Sequence, residues 1–149
     1  MTPSNNCLSI IKHYEGCRLA AYQDSVGVWT IGVGHTHNVQ QGQTITQATA
    51  DLFLNQDLAN TVNNINSLHL SINQNEFDAI ISFTFNEGIG NFEHSKIYTA
   101  TKGGQLAVAD ADFTNWELAG GRHLNGLAAR RQTEALLYKT GELKYFNLL

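Results

Sequence analysis

The sequence predicts an α+β fold, with a small N-terminal β-hairpin lobe beside a larger helical lobe and a cleft between them as the natural ligand site. Three observations carry this expectation. Apolar residues recur at helical spacing over most of the chain. Between Leu19 and Val39 the pattern shortens to β-type runs punctuated by Gly27, Gly32 and Gly34. No repeat, proline-rich linker or low-complexity block interrupts the 149 residues, a length near that of one ordinary domain, so residues 1–149 are expected to form a single domain.

The first element follows from Cys7, Leu8, Ile10, Ile11 and Tyr14, whose i, i+3 and i+4 relations predict a short amphipathic helix over about 4–15. Gly16 is a stop signal that leaves Glu15 at the helix C-terminus. The runs Ala21-Tyr22, Val26 to Ile31, and Val33 then predict the hairpin, with Val28-Trp29-Thr30-Ile31 its best strand. Thr46 is placed to cap a helix reaching about Ile65, with Leu54, Leu58, Val62 and Ile65 as its apolar stripe and a connection between the lobes as its role. Asn73 followed by Glu76 has capping-box spacing, and Phe77, Ile80, Ile81, Thr84 and Phe85 continue a strongly apolar helix that Gly88 and Gly90 end. Further helices are expected at about 95–102 and 105–111, with a short one near 112–117. The last runs over about 126–139, with Gly141 at its C-cap position.

Composition narrows the partners. With 42% hydrophobic and 15% charged residues the chain can bury a core without metal or disulfide support. A net charge of -4 argues against nucleic acid, which is usually met by a strongly basic surface. Lys96, Lys102, Arg122, Arg130, Arg131, Lys139 and Lys144 nevertheless concentrate cations late in the chain, where they could make one wall of a cleft basic. The two cysteines, Cys7 and Cys17, suit a reduced state; a bridge between them is sterically conceivable and nothing in the sequence supports it. No secretory signal and no apolar run approaching about 20 residues is present, so membrane insertion is not expected. If the substrate lies outside the membrane, a separate pore-forming protein has to release this one.

The chemistry-bearing residues cluster early. Glu15 at a helix end, followed by Asp24 and Thr30 on the hairpin, is a plausible glycosidase constellation: one carboxylic acid to protonate a leaving oxygen, a second polar group to place water or attack. The helix C-terminus and partial burial would both favour the protonated form of Glu15, with burial supplying the larger share. Taken alone, Asp24 reads as a turn residue and Thr30 as a good strand former. Trp29 either lines a sugar cleft or packs the hairpin. His35 and His37 could share a strand face, but a third donor is not evident, so no metal and no cofactor is expected.

Longer motifs add to this. Glu15-Gly16, Tyr22-x-Asp24 and Trp29-Thr30-Ile31-Gly32-x-Gly34-His35 resemble the N-terminal signature of the phage-type lysozymes, or endolysins. Phe53-Leu54-Asn55-Gln56-Asp57 resembles the family's next helix, and Ile80-Ile81-Ser82-Phe83-Thr84-Phe85-Asn86-x-Gly88 its central buried helix. Trp116, Gly120-Gly121 and Gly126-Leu127-x-x-Arg130-Arg131-x-x-Glu134 also fit, so the resemblance runs over nearly the whole chain.

The resemblance implies a two-lobed, lysozyme-like catalytic domain that hydrolyses the β-1,4 bond between N-acetylmuramic acid and N-acetylglucosamine in peptidoglycan. It implies Glu15 as general acid, Asp24 and Thr30 flanking the water or the anomeric centre, and an inverting route. It implies a structural His35–Asp57 pair, a cleft-lining amide at Asn86 and a basic helix pair at Arg130 and Arg131, expected to bind substrate with Trp29; a helix-end Asn86 and a solvated Arg130/Arg131 face are the plain alternatives. A lytic transglycosylase, a chitinase-like enzyme or a catalytically silent wall-binding module are the rival functions. The expected setting is the host bacterial cytoplasm until release and the periplasm or cell wall afterwards, with the protein a monomer.

Overall fold

The computed structural model describes residues 1–119, 122–123 and 125–147. Its element order is α1 (Asn5–Glu15), β1 (Arg18–Gln23), β2 (Trp29–Gly32), α2 (Gln47–Ser67), α3 (Gln74–Glu87), α4 (Ile89–His94), α5 (Lys96–Lys102), α6 (Leu106–Phe113), β3 (Leu118–Ala119), β4 (Arg122–His123) and α7 (Asn125–Thr140). The architecture is α+β, a β-hairpin and a larger helical portion, as the sequence predicts. The chain divides into two compact units, Ile11–Asn60 and Met1–Ile10 with Thr61–Leu149, whose boundaries fall inside α1 and α2.

The smaller unit is built on the hairpin. β1 and β2 pair antiparallel, with Tyr22 opposite Thr30 and Gln23 opposite Trp29, and an irregularity between Arg18 and Tyr22. The other edge of β1 is also used: Ala21 N–H donates to Gln43 O at 2.9 Å and Ile45 N–H to Leu19 O at 2.9 Å. Ile31, Val33, Ala50, Leu54 and Leu58 are buried here. Thr46 caps α2, its Oγ1 accepting from Thr49 N–H at 3.2 Å. α1 ends where Gly16 N–H donates to Lys12 O at 2.9 Å with φ +75° at Gly16, a left-handed position that glycine fills at little cost.

The larger unit is organised around α3, nine of whose residues are buried from Glu76 to Thr84. Its start is the full capping box: Asn73 Oδ1 accepts from Glu76 N–H at 2.9 Å and Glu76 Oε2 from Asn73 N–H at 3.0 Å. Phe83 is the hub of an aromatic core, meeting Phe113 at 5.7 Å and Trp116 at 5.5 Å between ring centroids, both edge to face. Asp78, fully buried, accepts from Ser4 N–H at 3.0 Å and from Ser4 Oγ, and so ties the chain before α1 to α3. Asp112 Oδ2 accepts from Lys96 and Ile97 N–H at 2.9 and 3.2 Å, satisfying the first donors of α5 from another helix.

Three expectations are corrected. The helix at 89–94 was hidden because Gly88 and Gly90 read as terminators; Gly88 instead turns the chain at φ +92° and its carbonyl accepts from Phe92 N–H. The expected short helix at 112–117 is absent: α6 runs on to Phe113, and the chain turns into the β3–β4 hairpin. β2 begins at Trp29 rather than Val26 because residues 24–28 form the turn. Gly120 and Gly121 of the C-terminal motif lie outside the described residues.

Both cysteines are free thiols, Cys7 buried and Cys17 exposed. Burial pushes the Cys7 thiol far above its ordinary range, helped by the nearby Asp78 and Glu134 carboxylates. Only the thiolate attacks a disulfide reagent. Titration of the native protein with Ellman's reagent should therefore release one equivalent rapidly, and Cys17→Ser should abolish that phase. Rapid release of two from folded protein would contradict the burial of Cys7.

Candidate active site

Glu15, Asp24, Thr30 and Trp29 all lie in the smaller unit, within or beside its hairpin. The main chain of one residue, Val28, holds two of them. Asp24 Oδ1 accepts from Val28 N–H at 2.8 Å and from Val26 N–H at 2.9 Å. Val28 O in turn accepts from Asp24 N–H at 2.9 Å and from Thr30 Oγ1 at 2.9 Å. Asp24 is thus a turn-capping residue of the kind its type favours, and among the described residues no hydrogen bond engages its second carboxylate oxygen. Thr30 is buried. Its hydroxyl proton is committed to Val28 O, which leaves the oxygen lone pairs as what it offers a further partner.

Glu15 is the last residue of α1 and is exposed, so the partial burial expected for it is not there. Trp29 is half-buried at the first position of β2, opposite Gln23. His35 and Asp57 meet at 2.8 Å between Nδ1 and Oδ2, and the imidazole stacks on Phe53 with ring centroids 4.2 Å apart. Since His35 also exchanges backbone hydrogen bonds with Ile31 at 2.9 and 3.0 Å, this contact fastens the end of β2 to α2.

Arg130 and Arg131 require a correction. Neither forms a solvated basic face or a surface for anionic substrate: they are 3% and 0% exposed. A buried guanidinium is stable only when paired and hydrogen-bonded. Arg130 Nε meets Glu134 Oε1 at 3.1 Å, and its Nη2 donates to Ser82 O at 3.1 Å. Arg131 Nε lies 2.8 Å from Glu134 Oε2 in an ion pair bent away from hydrogen-bond geometry. Its Nη1 donates to Glu87 Oε1 at 3.1 Å and its Nη2 to Asn86 Oδ1 at 2.9 Å. Ser82 Oγ completes the set, donating to Glu134 Oε1 at 2.6 Å. Burial lowers the Arg131 pKa from its ordinary value while the Glu134 charge opposes that shift. Asn86 stays exposed, on the rim of this network. Glu87 was not foreseen, and Glu134 only as part of a motif; the Arg-Arg-x-x-Glu spacing, i,i+3 and i,i+4 on one helix, was the available signal.

Among the described residues no group of three or more His, Cys, Asp or Glu side chains could hold a metal ion. No described helix is long and apolar enough to cross a membrane.

The fold is that of the lysozyme class. Residues 12–134 match the family model described as phage lysozyme. An endolysin of Acyrthosiphon pisum secondary endosymbiont phage 1 is 40% identical over 142 residues, covering 92% of this chain and 97% of the relative. Among solved structures, an endolysin from Escherichia coli O157:H7 phage FAHEc1 superposes with a TM-score of 0.88 at 32% identity, covering 97% of each chain. The muramidase domain of SpmX from Asticaccaulis excentricus gives a TM-score of 0.84 at 35% identity, over 93% of this chain and 98% of that one. The chain belongs to the phage lysozyme family. It is a glycoside hydrolase of the endolysin type, with peptidoglycan as its class of substrate.

The buried network and the histidine pair each make a stability prediction. Glu134→Gln should cost about 3–5 kcal/mol in denaturant unfolding, because it removes the buried carboxylate that both guanidiniums meet; a loss below about 1 kcal/mol would show the pairing to be dispensable. Asp57→Asn should cost about 1 kcal/mol, and much less in a background where His35 is replaced by alanine; additive losses in that double-mutant cycle would deny the pairing.

Proposed function

We propose that the chain is a muramidase that cleaves the β-1,4 bond between N-acetylmuramic acid and N-acetylglucosamine, with Glu15 as general acid and Asp24 and Thr30 holding the attacking water. The observation that carries this is the shared anchorage of Asp24 and Thr30 on the main chain of Val28. A water between them would give one proton toward the Asp24 carboxylate and one toward the Thr30 oxygen, which has only lone pairs left to offer. Both water protons are then held, and the nucleophilic lone pair is left for the anomeric carbon. Such fixed placement is worth more than the bare presence of the groups, since orientation is settled before reaction.

Glu15 donates its proton to the glycosidic oxygen as positive charge develops at the anomeric carbon, and Asp24 stabilises that charge. Because Glu15 is exposed in the unliganded chain, the bound sugar rather than the protein interior has to exclude water from this carboxyl. Attack by water from the opposite face gives inversion, the route taken when two carboxyls stand about 6.5–9.5 Å apart. Trp29, half-buried beside Thr30, is the aromatic side chain on which a sugar would stack in this reading. The enzyme is read as a monomer held in the host cytoplasm, released to the periplasm and wall by a separate pore-forming protein. Neither nucleic acid nor membrane is a partner in this reading.

Digestion of purified peptidoglycan, followed by mass analysis of the new sugar ends, tests this. Wild type should give reducing N-acetylmuramic acid ends, and Glu15→Gln should lose at least the roughly 10²–10⁴-fold assigned to general acid catalysis. Thr30→Val, which keeps the strand and removes the oxygen, should lose about tenfold or more. Products ending in 1,6-anhydromuramic acid would select a lytic transglycosylase instead, and near-wild-type turnover by Glu15→Gln would end the assignment.

A further inference from the structure

We propose that Asp51 is a positioning residue for Glu15: by clamping the last turn of α1 to α2 it fixes where the proton donor stands. The proposal rests on the muramidase reading, in which Glu15 is the general acid, and deepens it by naming what holds that acid in place.

Glu15 is exposed and is the last residue of its helix, and helix ends fray, so its placement depends on how firmly that end is held. The end of α1 is fastened at Lys12, in two ways. The Lys12 carbonyl accepts from Gly16 N–H at 2.9 Å, the bond that closes the turn containing Glu15. The Lys12 ammonium lies 2.7 Å from Asp51 Oδ1 on α2. The same oxygen accepts from Gln47 Nε2 at 3.0 Å, one turn earlier on α2. That amide nitrogen is in turn 3.7 Å from Cys17 Sγ, just past Glu15 in the chain. Asp51 thus reaches the chain before Glu15 directly, and the chain after it through Gln47. All of these residues belong to the smaller unit.

The clamp is ionic. Hydrogen bonds from Lys12 and then Gln47 hold the Asp51 carboxyl below the usual carboxylate range. Its effects on folding and on turnover differ in scale. The side chains of Lys12 and Asp51 are 32% and 41% exposed, and exposed ion pairs add little to stability. Orientation is a stricter demand, since misplacing a reacting group by about 1 Å costs up to about 10²-fold in rate. A contact too weak to govern folding therefore governs turnover. A lysine in the last turn also suits the negative end of the helix dipole, a role that would register in stability and not in kcat.

Asp51→Asn keeps the size of the side chain and an acceptor for Gln47, and removes the charge that holds Lys12. On purified peptidoglycan it should lower kcat about fivefold, leave KM within about twofold and shift Tm by less than about 3 °C. Asp51→Glu, which restores a carboxylate, should recover at least about half of the lost kcat. Lys12→Met should match Asp51→Asn, and the double variant should be no slower than either single one, because the same contact is lost in each. Recovery of wild-type kcat on adding Lys12→Met to Asp51→Asn would overturn the proposal, since it would blame a liberated ammonium rather than a displaced helix end. An unchanged kcat in Asp51→Asn would overturn it too, as would a loss that Asp51→Glu does not relieve. Glu15→Gln, assayed alongside, separates the two readings. If Glu15→Gln is inactive while Asp51→Asn is as fast as wild type, the clamp alone fails; if Glu15→Gln turns over like wild type, the muramidase assignment and the clamp fail together.

Discussion

Glu134 is the residue on which the larger unit depends most. Its carboxylate is fully buried and meets Arg130, Arg131 and Ser82, joining two successive arginines of α7 to the centre of α3. Removing these charges from water is expensive, and their attraction compensates only because the arginines and the carboxylates are matched and hydrogen-bonded. The aromatic core gains from this: Phe83 lies against Arg131 on one side and forms edge-to-face contacts with Phe113 and Trp116. A buried network of this kind gives direction that apolar packing alone does not. It sets which residues of α3 and α7 face one another, and it leaves Asn86 and Glu87 at the edge where the helix ends.

The smaller unit solves a different problem by different means. Asp24 sits in the turn between β1 and β2 and Thr30 in β2, and among the described residues no hydrogen bond to another side chain locks either one. The backbone does so instead. Val28 offers one N–H and one carbonyl; the carboxylate of Asp24 takes the first and the hydroxyl of Thr30 the second. The turn is consequently as much a holder of two functional groups as a connection between strands. Its position is fixed from behind by the backbone exchange between His35 and Ile31 and by the His35–Asp57 contact to α2.

How much of this was legible in the sequence differs by the physics involved. The periodicity of α1, the Asn73–Glu76 capping box and the Thr46 cap are local signals, and they mark α1, α2 and α3 to within a residue or two. α4 was not legible, because a glycine that stops one helix and starts another looks the same as a terminator. The β3–β4 hairpin is too short to show a period. Arg130 and Arg131 mislead on their own, since arginine is ordinarily a surface residue; burial became readable only with Glu134 taken as their counter-charge at i+4 and i+3. For the site, Glu15, Asp24 and Thr30 were suggested by residue type and spacing, and sharpened by the family motif. The anchoring role of Val28 was invisible, because a backbone group carries no residue signature.

That last point bears on where function resides. The side chain of Val28 is exposed and enters none of these hydrogen bonds; its main chain supplies both anchors. Substituents at this position that keep an N–H and the same backbone path preserve the arrangement, whereas proline would delete the donor that Asp24 Oδ1 accepts from. Under the proposed mechanism the same logic lets Asp24 be both a turn residue and a reacting one. One carboxylate oxygen is spent on backbone donors and holds the group still; among the described residues no hydrogen bond engages the other. In the proposed mechanism structure and catalysis divide one carboxylate by oxygen atom, and the turn-capping contacts describe half of what Asp24 would do.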